Sequence, residues 1–330
     1  MLFVEGIAEE VIQIATIQPI AARQKSRVEN RVSVRVPATS ANLGCAFDCA
    51  ALALNLYLNV NVTSRDDGAV TVRYHGLNPE RVQTGENNLV AATILKTLSA
   101  WRVKRGFELE IENQIPVGVG LGSSAAAIVG ALAACGWLAN KPLSDEELLS
   151  LATSIEGHPD NVAGAWLGGL AVAMEHRGRV MASSCPVPDA IQLLLVIPDY
   201  ALPTEKARSV LPAQYSRAEA IHNLQRTAIL VAEFFSGRAE LNRSLFDDRW
   251  HQLYRAPLVP GLSRVLELSH PDLLGICLSG AGPSILALVR GGVREIGEAI
   301  QETLRKEGVE SRVERLAADN QGAKGWCFPK

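Results

Sequence analysis

Apolar and polar positions alternate with a period of two along three stretches in the first quarter of the chain. These stretches are residues 31–40 (RVSVRVPATS), 52–62 (LALNLYLNVNV) and 68–76 (GAVTVRYHG). A two-residue period is that of a strand with one buried face. The pattern therefore predicts three successive strands. Similar or continuously apolar runs predict further strands at residues 106–116, 168–175, 191–199 and 309–317, and a strand, loop and strand over 273–290.

Helical periodicity takes over between these runs. In residues 87–103 the apolar side chains of Leu89, Ala92, Leu95 and Leu98 fall on one face of a helix. Residues 143–157 begin with Ser144 followed by Glu147, which is the pattern of a capping box, and end at a glycine. The spacing predicts two more helices, over 217–235 and 291–308.

The order of these elements indicates the fold class. Strands and helices are mixed without regular strand–helix–strand alternation, which favours an α+β fold over a doubly wound sheet. A chain of 330 residues can form one large domain or two medium ones. The pattern breaks at residues 183–190 (SSCPVPDA), so we predict domains over 31–185 and 186–330, preceded by an N-terminal extension over 1–30.

Composition narrows the function classes. The apolar share of 48% and charged share of 20% are ordinary for a soluble globular protein, and a net charge of −3 gives no general attraction to nucleic acid or anionic membrane. Acidic residues interrupt the apolar N-terminal stretch, and no apolar run is long enough to span a bilayer, so we expect a cytoplasmic protein. The six cysteines form no C-x-x-C pair, which predicts buried free thiols.

The segment PVGVGLGSSAAAIVGAL, residues 116–132, indicates the chemistry. Successive glycines let backbone N–H groups converge, and a helix that starts directly afterwards adds its unpaired N–H groups and its positive dipole end. The loop is not a Walker A motif, because Gly122 stands where that motif needs a lysine. Nor is it a dinucleotide fingerprint, because Ser123 stands where the third glycine belongs. A tight turn under a sheet remains the structural alternative.

The segment resembles the phosphate loop of the GHMP kinases, and two other motifs of that family follow in the expected order. VPATSANLGCAFDCAALAL, residues 36–54, resembles the N-terminal motif, and LSGAGPSILAL, residues 278–288, resembles the C-terminal glycine motif. The resemblance implies a two-domain GHMP kinase fold. Its N-terminal domain is of the ribosomal protein S5 domain 2-like α/β type, and its C-terminal domain is a ferredoxin-like α+β domain.

The first motif resembles the homoserine kinase branch of the family, as does EGHPDNVAGAWLGG, residues 156–169, and the likeness covers residues 32–318. It implies ATP-dependent phosphorylation of L-homoserine in threonine biosynthesis, with Mg²⁺ and a homodimer, and with neither nucleic acid nor membrane as partner. The chain departs from the branch in having Cys45–Ala46 where Pro-Gly is usual and Ala51 where Gly is usual. These are backbone positions, so the departures bear on loop geometry more than on activity.

The resemblance also implies how homoserine binds. A zwitterionic amino alcohol needs an anion for its ammonium group and cations for its carboxylate. Asp48 is predicted to take the first role, and Arg208 and Arg255 the second. The predicted substrate site is completed by polar or small residues of the motifs, namely Asn42, His158, Asn161 and Gly280. The predicted catalytic residues are Asn161, Asn42 and Arg208, with Asn161 orienting the hydroxyl and no side chain removing its proton early.

The nucleotide is predicted to lie on the loop, with Asn88 bordering the adenine and Ser124 and Glu156 holding Mg²⁺. The predicted ATP-binding residues of the loop are Pro116, Val117, Gly118, Val119, Gly120, Leu121, Gly122, Ser123, Ser124, Ala125 and Ala126.

Ordinary structural roles compete with these assignments. Asp48 can cap the segment after it, Asn42 can be a left-handed turn residue and His158 can close a helix. Both arginines can be solvated surface residues, and Glu156 an exposed acid at a helix end. At the level of function, the alternatives are another small-alcohol kinase of the same family and a catalytically silent sensor of ATP and an amino acid. A dinucleotide oxidoreductase is disfavoured by the failed fingerprint.

Overall fold

The structure, a computed structural model, describes residues 31–328, with side chains as far as residue 325. The predicted extension over 1–30 lies outside the described residues. The strands are β1 (Arg31–Asn42), β2 (Ala46–Arg65), β3 (Val70–Gly76), β4 (Gly106–Asn113), β5 (Leu170–His176), β6 (Arg179–Cys185), β7 (Gln192–Pro198), β8 (Leu273–Leu278), β9 (Ile285–Val289), β10 (Ser311–Leu316) and β11 (Lys324–Phe328). The α-helices are α1 (Leu89–Ala100), α2 (Ser123–Leu138), α3 (Asp145–Glu156), α4 (Asp160–Leu167), α5 (Thr204–Ser209), α6 (Arg217–Phe235), α7 (Gln252–Arg255), α8 (Leu262–Leu266) and α9 (Val293–Arg305).

The first sheet contains seven strands. Its main path runs β11-β1-β2-β4-β3, while β5 pairs with β2 and β6 pairs with β5. The pairing of β3 with β4 is parallel, and the other pairs are antiparallel. Helix α2 packs on this sheet at close range: a Cβ atom at Gly130 would come within 2.8 Å of Val60 Cγ2 on β2. The small residues of the helix therefore allow the phosphate loop before it to lie close to the sheet.

The second sheet has four antiparallel strands in the order β10-β7-β9-β8. The two faces of β7 lie in different cores. Leu193 and Leu195 join the large core that the first sheet forms, whereas Leu194 and Val196 pack in a second cluster that includes Ile296 and Ile300 of α9. Both faces of β7 are thus buried, which explains its continuously apolar sequence. Strands and helices are combined as an α+β fold, as predicted.

The chain crosses between the two sheets at its end. Strand β11 follows the second sheet along the chain but pairs with β1 in the first sheet. The division into domains at residue 185 stays a prediction. Strand β11, which falls in the second predicted domain, belongs to the first sheet.

The predicted long elements are present, and the capping box of α3 has both of its hydrogen bonds. The pattern did not predict α4, α5, α7, α8, β6 or β11. All six have eight residues or fewer, too few for a long periodic pattern, and β6 is also largely exposed. In the part of the chain described, no helix has the length and apolar character needed to cross a membrane.

Candidate active site

One cavity of about 610 Å³ brings most of the predicted residues together. It lies where the phosphate loop, the end of β1 and start of β2, the loop between α3 and α4, and the loop after β8 meet. The predicted residues that line it are Asn42, Asp48, Asn88, Val117, Gly118, Gly120, Leu121, Gly122, Ser123, Ser124, Glu156, His158, Asn161, Arg208, Arg255 and Gly280. Four others, Pro116, Val119, Ala125 and Ala126, are buried outside the lining.

Glycines shape the phosphate loop because the backbone leaves no room for side chains. Gly120 and Gly122 have φ angles of 81° and 63°, in the left-handed region. A Cβ atom at Gly120 would collide with the carbonyl oxygen of Ser279, and one at Gly122 with the hydroxyl of Thr39. Gly122 is also the N-cap of α2, so the unpaired N–H groups of that helix begin beside the cavity. The arrangement suits an anion such as phosphate.

A hydroxyl and a carboxylate meet at the start of α2. Ser124 Oγ donates a hydrogen bond to Glu156 Oε2 at 2.7 Å. Glu156 is the last residue of α3, which ends at Gly157 in a left-handed conformation. Burial raises the pKa of the Glu156 carboxyl, although the hydrogen bond from Ser124 and the nearby His158 act in the opposite direction. Glu156 is therefore a largely buried acid beside the phosphate loop, with about 10% of its side chain exposed, and not a solvated one.

The loop before α4 carries a short hydrogen-bonded network. His158 Nδ1 lies 2.8 Å from Asp160 Oδ1, which also accepts from the backbone N–H of Asn161 at 2.7 Å. The hydroxyl of Thr39 bonds to Asn161 Oδ1 at 2.7 Å. Burial alone would lower the pKa of His158, but the hydrogen bond and charge of Asp160, with the charge of Glu156, raise it. The network fixes Asn161 at the cavity wall.

Asp48 and Arg208 form a two-pronged ion pair across 160 positions of sequence. The two nitrogen–oxygen distances are 2.6 and 2.9 Å, and both side chains are about one-third exposed. The hydrogen bond and charge of Asp48 raise the pKa of the Arg208 guanidinium. The predicted partners of the ammonium and the carboxylate thus neutralise each other here, and a zwitterion would exchange this pair for contacts of its own.

Asn42, the last residue of β1, bonds across the β1–β2 turn to the start of β2. Its φ angle is 74°, its Oδ1 accepts from the backbone N–H of Asp48 at 3.0 Å, and its Nδ2 donates to the carbonyl of Gly280 at 2.9 Å. Both ends of the amide are thereby engaged with the backbone. The contacts support a structural role, and the predicted catalytic role stays a prediction.

Arg255 is almost completely buried at the cavity wall, with 1% of its surface exposed. Its Nε donates to the carbonyl of Ala207 at 3.1 Å, and its Nη1 donates to that of Gly280 at 3.0 Å. Burial and the charge of Arg208 lower the pKa of Arg255 to about 10. The alternative of a solvated surface arginine is therefore wrong for this residue.

Several residues that line the cavity or hold its phosphate loop have no counterpart among the sequence predictions. Arg81 Nη1 donates to the carbonyl of Val117 at 3.0 Å, and Asn78 Oδ1 accepts from the Val117 N–H at 3.1 Å, so both hold the phosphate loop. Lys96 is an exposed residue of the otherwise uncharged α1, and it lines the same cavity. Its charge within an uncharged helix is the one signal that could have indicated it. Asp160 also lines the cavity but is engaged with its neighbours.

Two family models and many known proteins match this chain. The family model described as the GHMP kinases N terminal domain matches residues 88–169, and that of the GHMP kinases C terminal matches 230–306. The homoserine kinase of Desulfitobacterium hafniense is 41% identical over 299 residues, covering 88% of this chain and 99% of that protein. The chain belongs to the homoserine kinases of the GHMP kinase family. The homoserine kinase of Deinococcus radiodurans is 40% identical over 296 residues, covering 88% of this kinase and 95% of the relative.

Solved structures agree with this assignment. The crystal structure of homoserine kinase from Cytophaga hutchinsonii superposes on this kinase with a TM-score of 0.80 at 27% identity, covering 92% of this chain and 100% of that one. The mevalonate kinase of L. major in complex with R-mevalonate has a TM-score of 0.57 at 16% identity, with 92% and 99% coverage, and shares the fold. The segment matched by the N-terminal family model contains α1, the phosphate loop and α4 of this kinase.

Proposed function

We propose that this kinase transfers the γ-phosphoryl group of ATP to the side-chain hydroxyl of L-homoserine and so forms O-phospho-L-homoserine for threonine biosynthesis. The observation that carries the proposal is the composition of the cavity described above. One wall is an anion-binding glycine loop at a helix start, and the other holds one carboxylate and two guanidinium groups suited to an amino acid.

The phosphate loop is the proposed seat of the triphosphate. Its backbone N–H groups and the start of α2 supply fixed dipoles, which stabilise phosphate charge without rearranging during the reaction. Asn88 caps α1 by accepting from the Val90 N–H at 3.0 Å, and it lines the same cavity as the loop. Its position at the start of α1 and in the cavity lining supports the proposal that it borders the adenine.

Ser124 and Glu156 fit a Mg²⁺ ion that arrives with the nucleotide. Mg²⁺ prefers hard oxygen donors and usually takes one or two protein ligands together with phosphate oxygens and waters. A hydroxyl and a largely buried carboxylate, 2.7 Å apart, meet that requirement. The ion, when bound, would neutralise charge on the phosphates.

The amino-acid end of the cavity recognises both charges of homoserine. Asp48 is the acceptor for the ammonium group, and Arg208 and Arg255 lie on the same wall to bind the carboxylate. Small alcohols without an α-ammonium group, such as mevalonate, would leave Asp48 without that partner. Asp48 together with the two arginines thus favours an amino acid with a hydroxyl group over the other alcohols that the family phosphorylates.

The transfer step needs alignment more than proton removal. Phosphoryl transfer proceeds with little covalent assistance, so a hydroxyl held in line with the γ-phosphate is the main requirement. Asn161 can orient that hydroxyl with its side-chain amide, which Thr39 holds in place. Asp160, the nearest carboxylate in sequence, already bonds to His158 and to the backbone of Asn161. We therefore assign no general base to the first step.

A coupled ADP-release assay with homoserine, threonine, serine and mevalonate as separate acceptors tests this function. We expect ADP release that depends on homoserine, with turnover of the other acceptors at least ten times lower. Tight ATP binding without turnover of any acceptor would support the alternative of a sensor and contradict the proposal. Preferred turnover of mevalonate would replace homoserine by another alcohol of the family.

Two further properties belong to the same proposal. The family resemblance implies a homodimer in the cytoplasm. Sedimentation analysis of the purified chain should give about twice the monomer mass, and a monomer at micromolar concentration would contradict the dimer.

A further inference from the structure

His251 is a completely buried histidine that the mechanism above does not use. It is the residue before α7, the short helix that carries Arg255. Asp248 Oδ2 accepts from the backbone N–H of His251 at 2.9 Å and from that of Gln252 at 2.7 Å. Asp248 thereby fixes the backbone at the start of the helix, and the direction of the His251 side chain with it.

The hydrogen bonds of the ring define its tautomer. His251 Nε2 lies 2.8 Å from the carbonyl oxygen of Gly44, and a carbonyl only accepts, so Nε2 carries the proton. In the neutral ring Nδ1 is then an acceptor, and Arg255 Nη1 donates to it at 3.1 Å. Burial lowers the pKa of His251 to about 4. The positive charge of Arg255 also lowers this pKa, whereas the negative charge of nearby Asp248 raises it. The ring is consequently neutral near pH 7.

The bonds to Arg255 decide which of its donors remain for a ligand. Nε is taken by the carbonyl of Ala207, and the two hydrogens of Nη1 by the carbonyl of Gly280 and by His251 Nδ1. The guanidinium also lies 5.3 Å from the centre of the Phe47 ring, on which His251 stacks at 5.2 Å. Among the described residues, Nη2 has no hydrogen-bond partner, so its two hydrogens are the part of Arg255 left for a substrate.

Gly44 lies in the β1–β2 turn, four residues before Asp48 near the start of β2. The His251 ring therefore connects the β1–β2 turn to Arg255. It thus links the segment next to Asp48, the predicted partner of the substrate ammonium group, to a predicted partner of the substrate carboxylate. The charged groups that face the ring are Asp248, Arg255 and, at longer range, Asp48.

We propose that His251 is a positioning residue for substrate binding: its neutral Nε2–H tautomer holds Arg255 so that Nη2 meets the carboxylate of the amino acid. This inference rests on the proposed function for the identity of the ligand. A histidine with the proton on the other nitrogen would present a donor to Arg255 and lose both bonds. The position thus requires an acceptor at Nδ1, and the bond to Gly44 orients that acceptor.

Two substitutions separate these contacts. In His251→Asn, an amide oxygen can take the position of Nδ1 and accept from Arg255, while nothing reaches Gly44. In His251→Gln, the longer amide can reach the Gly44 carbonyl but leaves no acceptor at the position of Nδ1. Both remove the ring and its contact with Phe47, so each serves as the control for the other.

We expect the KM for homoserine to rise roughly tenfold in His251→Gln and at most about threefold in His251→Asn, because only the first loses a hydrogen bond to a charged group. The KM for ATP, measured in the same assays, should change less than twofold in both. An equal rise of the homoserine KM in the two variants, or a parallel rise of the KM for ATP, would overturn the proposal.

The tautomer is measured on the unaltered chain, so the test does not depend on variants that fold. Long-range ¹H–¹⁵N spectra of the wild-type kinase should show, for His251, a neutral ring protonated at Nε2 between pH 6 and 8. A charged ring or a proton on Nδ1 in that range overturns the proposal. These spectra need no turnover. If the wild-type chain released no ADP with homoserine, the proposed function would fail while the spectra still decided how Arg255 is held.

Discussion

Arg208 and Arg255 differ in how much of their charge is available to a substrate. Arg208 is half-buried, and both its Nη1 and its Nη2 already donate to Asp48. Arg255 is buried, and no carboxylate lies within 4 Å of it among the described residues, so its charge is compensated by carbonyls, a neutral histidine and an aromatic ring. Burying a cation without an anion is costly. A ligand carboxylate would relieve that cost, which makes Arg255 the stronger candidate for recognition.

Replacement of Arg255 should therefore act on one substrate only. In Arg255→Ala we expect the KM for homoserine to rise by roughly two orders of magnitude and the KM for ATP to change little, because a buried charge-assisted contact is lost. Initial rates at varied concentrations of each substrate measure both constants. Arg264→Ala, on the exposed surface of α8, is the control and should leave both unchanged. Equal increases in the two constants would place Arg255 outside the amino-acid site.

Asn161 allows a test of the transfer step. Asn161→Asp puts a negative charge beside Asp160 and near the proposed γ-phosphate, so we expect kcat to fall at least tenfold. Asn140→Asp, at an exposed turn, is the matched control. A much faster enzyme with a new acidic limb in the pH profile of kcat would show instead that a base at this position limits the reaction.

At the scale of elements, the sequence pattern predicted those that are long and amphipathic. The helix predicted over 217–235 has those bounds in α6, and the capping box at Ser144 begins α3. Helix α4 has eight residues and α7 has four, which is too few for a period of 3.6 to be visible. These short helices carry Asn161 and Arg255. The resemblance to a family, rather than periodicity, indicated those residues.

The phosphate loop depends on glycine for space as well as for backbone freedom, and the two requirements can be separated. Gly122 and Gly178 both have left-handed φ angles, of 63° and 76°, but a Cβ atom meets Thr39 at Gly122 and open space at Gly178. Gly178→Ala should cost about 1 kcal/mol of unfolding free energy. Gly122→Ala should cost roughly 2–4 kcal/mol, because the collision adds to the backbone cost.

Urea unfolding gives both free energies, and the KM for ATP should rise only in Gly122→Ala. If the two variants behaved alike in stability and in ATP affinity, the contact with Thr39 would not constrain the loop.

At the scale of the whole molecule, the sequence pattern could not predict which distant segments come into contact. The fold class and the cavity's composition followed from motifs, yet the ion pair of Asp48 with Arg208 joins residues 160 positions apart. Its formation, like the pairing of β11 with β1, depends on the packing of the two sheets. The burial of His251 is of the same kind, because a single histidine in a polar stretch (DDRWHQLYR) is read from sequence as a surface residue.

The stability of the molecule should depend on pH through that histidine. The pKa of His251 is lowered to about 4 in the folded chain, from 6.5 as the ordinary value. Between these values the unfolded chain binds a proton that the folded chain does not, so the free energy of unfolding falls as pH drops from 6.5 to 4. We expect this group to remove up to about 3 kcal/mol. Above pH 6.5 it should have no effect.

Urea unfolding at several pH values measures this slope. His251→Asn should have a shallower slope between pH 6.5 and 4 than the wild-type chain, whereas His176→Gln, at an exposed site, should match the wild-type slope. The same slope in His251→Asn and the wild-type chain would show that His251 does not carry the pH dependence.

The most direct test is a crystal structure of the kinase with a non-hydrolysable ATP analogue, Mg²⁺ and L-homoserine. We expect the triphosphate on the backbone N–H groups of Gly120 to Ser124, and the homoserine carboxylate at Arg255 with its hydroxyl directed at the terminal phosphate beside Asn161. A triphosphate bound away from the Gly120–Ser124 loop, or homoserine bound outside this cavity, would contradict the proposed function.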